Sequence, residues 1–242
     1  MSSLPVAKCV SECLGTAILV FMGCGVIELT GSDVVCTSLA FALSVVGVAY
    51  SFGEISGFHL NPAVSLGYVI SGQMDVMDFA YYVIAQCAGA FGGAALLLPL
   101  LKCTNHKLGY IGSNFYGKYT YFNTECWGAI LIEIILTFIF VYLFIQISQD
   151  KSKSDIKGLL IGLTLFLLHL MGIRLTGTSL NPWRSFAPAV YKMHAAIKRV
   201  WVFLIFPFVG GAIAGLLYKL FGNKSSSSSS NSDGNYAPAK IQ

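Results

Sequence analysis

The sequence predicts an all-α integral membrane protein of six transmembrane helices plus two re-entrant half-helices, arranged as an inverted 3+3 repeat. Three observations lead there. Charged residues make up 11% and hydrophobic residues 55% of the 242 positions, with a mean hydropathy of +0.71. An ordinary soluble domain carries about 25% charged residues. Six apolar runs reach or approach the ~20 residues that cross a bilayer. Finally, one phrase occurs twice: Ser56-Gly57-Phe58-His59-Leu60-Asn61-Pro62-Ala63 and, 120 residues later, Thr176-Gly177-Thr178-Ser179-Leu180-Asn181-Pro182-Trp183.

Taken in order, the first span is expected near 9–29 and contains Glu12. The second fills 34–53, between Asp33 and Glu54. Residues 54–77 follow, too long and too apolar for a simple turn, and hold the first phrase and a short helical run from Ala63 to Ser71. The third span fills 79–101 and carries Gly89 and Gly93, a spacing that lets helices cross closely. The fourth, 126–149, contains Glu133, which lies 48 residues before Asn181, as Glu12 lies 49 before Asn61. The fifth covers 158–173, and 174–198 repeats the re-entrant pattern with the second phrase and a run from Arg184 to Lys192. The sixth, 200–218, carries Gly211 and Gly215.

Three spans per half insert the second copy upside down relative to the first, and such inverted repeats place their function near the midplane. The division expected is a tail at 1–8, a channel unit at 9–222 with repeats at 9–101 and 126–222, and a disordered Ser-rich tail at 223–242. Lysine and arginine are nearly balanced between the two sides and do not orient the chain.

Each phrase has the chemistry of a helix entrance: Asn at the N-cap, Pro at the first helical position, and Gly just before. Half-helices entering from opposite faces bring their N-termini together in mid-membrane. Each supplies free backbone donors and roughly half a positive elementary charge. Asn61 and Asn181 would cap these helices and offer amide donors to the space between. The backbone before each Asn is expected to be extended, with carbonyls of Gly57, Phe58, His59, Gly177, Thr178 and Ser179 lining the approaches. Arg184 lies one turn beyond Asn181 and adds a fixed cation. Donors and positive potential suit a neutral, hydrogen-bonding solute and oppose cations, protons included.

These motifs, Ser-Gly-x-x-Leu-Asn-Pro-Ala-Val in the first half and Leu-Asn-Pro-x-Arg-Ser-Phe-x-Pro-Ala in the second, resemble the aquaporin (major intrinsic protein) family across about residues 8–222. Half-helix dipoles and an arginine are the general barrier to protons and cations in pores of that type. The resemblance implies a pore in every monomer, a homotetramer and cytosolic termini. It also implies an outer constriction of Phe41, His169, Thr178 and Arg184, a quartet similar to that of the water-selective class. Trp183 departs from the family's small alanine, so either the neighbouring helices have room for an indole or one half-helix is displaced. Leu204 stands where that class often has an aromatic residue.

The expected function is a passive water channel driven by osmotic gradients. The alternatives are a broader pore passing glycerol, ammonia or another small neutral solute, a closed or gated pore, a transporter using Glu12 or Glu133 as a proton site, and a membrane scaffold. A carboxylate inside a span is a functional hypothesis by default, but the matched placement of Glu12 and Glu133 suits bracing the loop backbones. No cofactor, metal or enzyme chemistry is expected: the seven cysteines have no ligand spacing and His59 has no companion ligand. With a formal charge of +4 and no basic block, nucleic-acid binding is not expected. The loop from Gln149 to Asp155 exposes Ser152 and Ser154 as candidate gating phosphosites. The expected location is a plasma or intracellular membrane, crossed several times.

Overall fold

The structure, a computed structural model, describes residues 6–104 and 109–222. Residues 1–5 of the expected N-terminal tail and the whole Ser-rich tail at 223–242 lie outside the described residues. The elements are α1 (Val6–Thr30), α2 (Val34–Ser56), α3 (Pro62–Ile70), α4 (Val76–Lys102), α5 (Cys126–Gln149), α6 (Lys157–Thr176), α7 (Pro182–Lys192), α8 (His194–Ile197) and α9 (Val200–Phe221). Short 3-10 turns occupy Gly117–Tyr119 and Lys151–Ile156. Among the described residues six helices are long and apolar enough to cross a membrane, and the protein is a multi-pass integral membrane protein. α3 and α7 are the two half-helices.

Most spans outrun their hydropathic limits by a few residues, because backbone pairing continues until something caps it. α2 runs on to Ser56 and stops at Gly57, which takes a left-handed φ of 84° and donates to the Gly53 carbonyl at 2.7 Å. α6 stops the same way at Gly177, with φ 79° and a 2.9 Å bond to the Ile173 carbonyl. Glycine reaches this conformation without the Cβ penalty, so both spans end at the first residue of their re-entrant loops.

The two halves lock by exchanging half-helices. Gly89 and Gly93 of α4 lie so close to α1 that a Cβ on either would strike the Cys13 or Ala17 carbonyl. In the second half, Gly210 meets the Ile134 carbonyl of α5, whereas Gly211 and Gly215 meet the Ala63 and Gly67 carbonyls of α3. The third span of the second repeat thus seats the half-helix of the first. In return α7 packs on α4, through aromatic rings instead of glycines: Phe91 lies 5.6 Å from Phe186 and 5.9 Å from Tyr191, centroid to centroid. Where hydrocarbon offers no hydrophobic drive between helices, such close packing is what holds them together.

Candidate functional site

Two carboxylates hold the re-entrant loops. Glu12, fully buried on α1, accepts from the Ser56 hydroxyl (2.7 Å), the His59 and Leu60 amides (2.9 and 2.7 Å) and Gln86 Nε2 (2.7 Å). Glu133, fully buried on α5, accepts from the Thr176 hydroxyl (2.7 Å) and from the Ser179 and Leu180 amides (both 3.1 Å). The matched partners explain why the hydroxyl recurs in both phrases.

The loop backbone is not extended as the sequence suggested. Phe58 and Leu60, with φ of 45° and 52°, and Thr178 and Leu180, with 52° and 56°, sit in the left-handed region at matched positions. That conformation costs a residue with a Cβ about 1–2 kcal/mol. It is held because each carboxylate ties down two consecutive amides, those of His59 and Leu60 in one loop and of Ser179 and Leu180 in the other. Among the described residues nothing donates to the carbonyls of Gly57, Phe58, His59, Gly177, Thr178 or Ser179, so all six keep free acceptors.

The two asparagines cap and cross-link. Asn61 accepts from the Ala63 amide at 2.9 Å, and Asn181 accepts from the Trp183 and Arg184 amides at 3.1 and 3.3 Å. Each side-chain amide then donates across to the other loop: Asn61 Nδ2 to the Leu180 carbonyl (2.8 Å) and Asn181 Nδ2 to the Leu60 carbonyl (2.7 Å). One N–H of each amide is therefore consumed and one remains. The leucine carbonyls, which carried no expectation, are the hinge between the halves.

Beside the asparagines is a narrow space of about 20 Å³, lined among others by Phe41, His59, Asn61, His169, Asn181 and Arg184. A water needs about 10–15 Å³, so the space holds little more than one molecule. Wider cavities open toward either side: about 730 Å³ under residues 109–121, and about 330 Å³ beside Ser56, His59 and Tyr82 on the side of the N-terminal helix start.

Phe41 and His169 stack with ring centroids 4.6 Å apart, and Arg184 Cζ lies 4.7 Å from the Phe41 centroid. His169 Nδ1 contacts the Leu165 carbonyl at 3.0 Å. A carbonyl only accepts, so Nδ1 carries the proton and Nε2 of the neutral ring is an acceptor. That Nε2, together with Arg184 Nε and Nη2, has no protein partner among the described residues. An acceptor and two donors are thus left facing one constriction. Thr178 is not part of its lining; it is buried against Gly172, where an added Cβ would meet its hydroxyl at 2.5 Å.

Arg184 Nη1 donates to the Gly112 carbonyl (2.7 Å) and to Asn114 Oδ1 (2.8 Å). Buried Asn114 also accepts from the Ser185 hydroxyl (2.8 Å) and donates to the Thr176 carbonyl (3.1 Å). No sequence signal pointed to Gly112 or Asn114, since residues 103–125 belong to no span and no repeat.

Trp183 turns away from the narrow space. Its Nε1 donates to the Val83 carbonyl of α4 at 3.0 Å, and its ring lines an open apolar groove with Phe186, Leu204 and Phe208. The reciprocal asparagine bonds are nearly equal in length, so α7 is not displaced and the indole is accommodated on the outside. His59 contacts the Ser65 hydroxyl at 3.0 Å and packs 4.2 Å from Tyr68. At the turn before α6, Asp150 Oδ1 accepts from both the amide and the hydroxyl of Ser152 (3.0 and 2.6 Å), and Asp150 pairs with Lys153 at 2.6 Å. Those partners, Lys153 foremost, hold its carboxyl down at about 2. Ser154 donates to Asp155 at 3.1 Å.

Known proteins share this architecture. The sequence matches the family described as Major intrinsic protein over residues 2–218. It is similar to Aquaporin Z of Rhodopseudomonas palustris, at 37% identity over 221 residues, covering 88% of this chain and 92% of that protein. It is also similar to Glycerol uptake facilitator protein-like 6 of Lactiplantibacillus plantarum, at 34% identity over 218 residues, covering 90% and 99%. Among solved structures, the aquaglyceroporin from Plasmodium falciparum superposes with a TM-score of 0.78 at 25% identity, covering 91% of this chain and 98% of that one.

Proposed function

This chain belongs to the major intrinsic protein family, channels for water or small neutral solutes and not enzymes, and on that premise we propose that it is a passive, water-selective channel. The observation that carries the reading is the constriction itself: the Phe41–His169 stack with Arg184 over the same ring, beside a space of about 20 Å³. The stacked rings and the guanidinium against them together border one space of about a water's size. A passing water would donate to His169 Nε2 and accept from Arg184 Nη2, replacing part of the hydration it sheds. Glycerol would have to fit a carbon backbone through the same section.

At the centre, the remaining N–H of Asn61 and of Asn181 would both aim at the oxygen of one water, supported by the positive ends of α3 and α7. A water that accepts from both must turn its hydrogens outward, so no chain of like-oriented waters spans the site and a proton cannot be relayed through it. The same potential repels cations, and Arg184 repels them a second time. On either approach, the free carbonyls of Gly57, Phe58, His59, Gly177, Thr178 and Ser179 would accept hydrogen bonds from the file. Thr178, which is absent from the lining of the constriction, would meet the file only through this carbonyl, its hydroxyl being turned to Gly172. Glu12 and Glu133 serve as braces: with three or four donors apiece from the loops and α4, neither is placed as a proton relay.

The channel unit is taken as residues 9–222, with repeats at 9–101 and 126–222, assembled as a homotetramer with cytosolic termini. Phosphate on Ser152 would set a second anion against Asp150, break the cap and draw Lys153 from Asp150 to itself, which makes this turn the candidate gate; Ser154 is the weaker site because its hydroxyl bonds its neighbour Asp155 and takes no part in the cap. A second reading, a pore that also passes glycerol, draws on the 34% identity to a protein named as a glycerol facilitator. Stopped-flow light scattering on proteoliposomes separates the two. Osmotic shrinkage without re-swelling in glycerol supports water selectivity, and re-swelling well above empty vesicles would replace it with the broader pore.

A further inference from the structure

Glu28 has no carboxylate counterpart in the second repeat, where Ser148 and Gln149 stand at the matching distance, yet it is nine-tenths buried at the last turn of α1. We propose that Glu28 is a positioning residue for the constriction, acting through residues 109–114 on Arg184; this rests on reading Arg184 as a filter cation. The carboxylate accepts from the Gly109 amide at 2.8 Å and, through its other oxygen, from the Ile111 amide. Ile111 is fully buried with φ 53°, and Gly112 follows with φ 67°. Two successive left-handed residues turn the chain sharply, and the first carbonyl beyond the turn, that of Gly112, receives Arg184 Nη1 at 2.7 Å.

The path from carboxylate to guanidinium is therefore about two residues long. It is also rigid: an added Cβ on Gly112 would lie 2.9 Å from Cys24 Cα, one turn before Glu28 on the same helix. Two carbonyl-type acceptors, from Gly112 and Asn114, and the face of Phe41 hold the guanidinium. Both acceptors come from the segment that Glu28 fixes. If the carboxylate is lost, a fully buried Ile111 amide is left without its acceptor, and the segment must shift to find another, taking the arginine's acceptors with it.

A merely structural role would lower yield or stability without working through Arg184, so the test is a double-mutant cycle on the full chain in proteoliposomes. Water and urea permeabilities are compared for wild type, Glu28→Gln, Arg184→Ala and the double variant. Amide exchange at residues 109–112 is followed for each. Glu28→Gln should raise the urea-to-water ratio about tenfold, the scale of one lost charge-assisted hydrogen bond, and should add nothing once Arg184 is Ala. The amides should exchange faster in both backgrounds. Glu28→Asp, which keeps the charge but withdraws it by one methylene, should lie between, and serves if Glu28→Gln fails to assemble. An equal rise in both backgrounds, or unchanged amides at 109–112, would overturn the proposal. A wild-type ratio in Arg184→Ala alone would instead overturn the filter reading, and this proposal with it.

Discussion

Replacing Glu133 by Gln keeps the side chain's shape but turns one carboxylate oxygen into a donor. In the native loop one oxygen accepts from the Thr176 hydroxyl and the Ser179 amide, the other from the Leu180 amide. The hydroxyl can rotate and accept instead; the two backbone amides cannot. Whichever way the glutamine turns, one of them faces an NH₂ group in a fully buried site. A buried donor without an acceptor costs about 1–3 kcal/mol. The surviving amide also exchanges a charged acceptor for a neutral one, worth about 1 kcal/mol more. Relief of the buried carboxylate's desolvation offsets part of this, leaving about 2 kcal/mol. That is comparable to the cost of holding Thr178 or Leu180 left-handed, so the loop should open locally rather than the bundle unfold. The assay is amide exchange at residues 178–181 with water permeability measured on the same preparation. Exchange should accelerate by up to about thirtyfold, and permeability should fall. Unchanged exchange at these amides, with solute uptake that becomes insensitive to a pH gradient, would refute bracing and favour a proton relay.

Other outcomes follow from the same geometry. Trp183→Ala should leave the water-to-glycerol ratio at its wild-type value, since the indole is outside the narrow space, and should cost about 1–2 kcal/mol of thermal stability in detergent, below the fully buried range; a changed ratio would show that Trp183 shapes the lumen. Gly215→Leu should abolish folded channel on gel filtration, because its side chain meets the Gly67 carbonyl of α3. Asp150 has its carboxyl lowered from 3.8 to about 2. Its contribution to the turn is therefore complete above about pH 4 and lost only as pH falls toward 2, so Asp150→Asn should leave the pH profile of permeability between pH 5 and 8 unaltered. After treatment with a kinase that modifies the wild type, Ser152→Ala should keep its permeability while the wild type changes; identical responses would remove the gate.

How much of this could be read beforehand differs by kind of interaction. Spans and half-helices are written in side-chain chemistry: apolar runs for the membrane, Asn-Pro for each helix entrance, Gly57 and Gly177 for the breaks before them. The pairing of Glu12 and Glu133 with the loops could be anticipated because both carboxylates recur at nearly equal distances from their asparagines. Backbone partners leave no such trace. Nothing in the letters of Leu60 and Leu180 says that their carbonyls receive the opposite asparagine, or that bulky residues at 58, 60, 178 and 180 are left-handed. Glu28 and Asn114 were illegible for a related reason: they act in an unrepeated loop, on amides and carbonyls that every residue possesses. An indole's direction is settled by what surrounds it, and only the structure could show that Trp183 points to Val83 and α9 instead of the lumen.

The central claim is a water-conducting path through each chain past Asn61, Asn181 and the Phe41–His169–Arg184 constriction. The most direct measurement is the initial rate of osmotic shrinkage of proteoliposomes holding the full chain, against empty vesicles of the same size and lipid, with an impermeant osmolyte. Conduction along this path predicts shrinkage many times faster than the control, rising in proportion to the protein reconstituted, with no accompanying proton leak. Shrinkage at the control rate from folded, correctly inserted protein would contradict it.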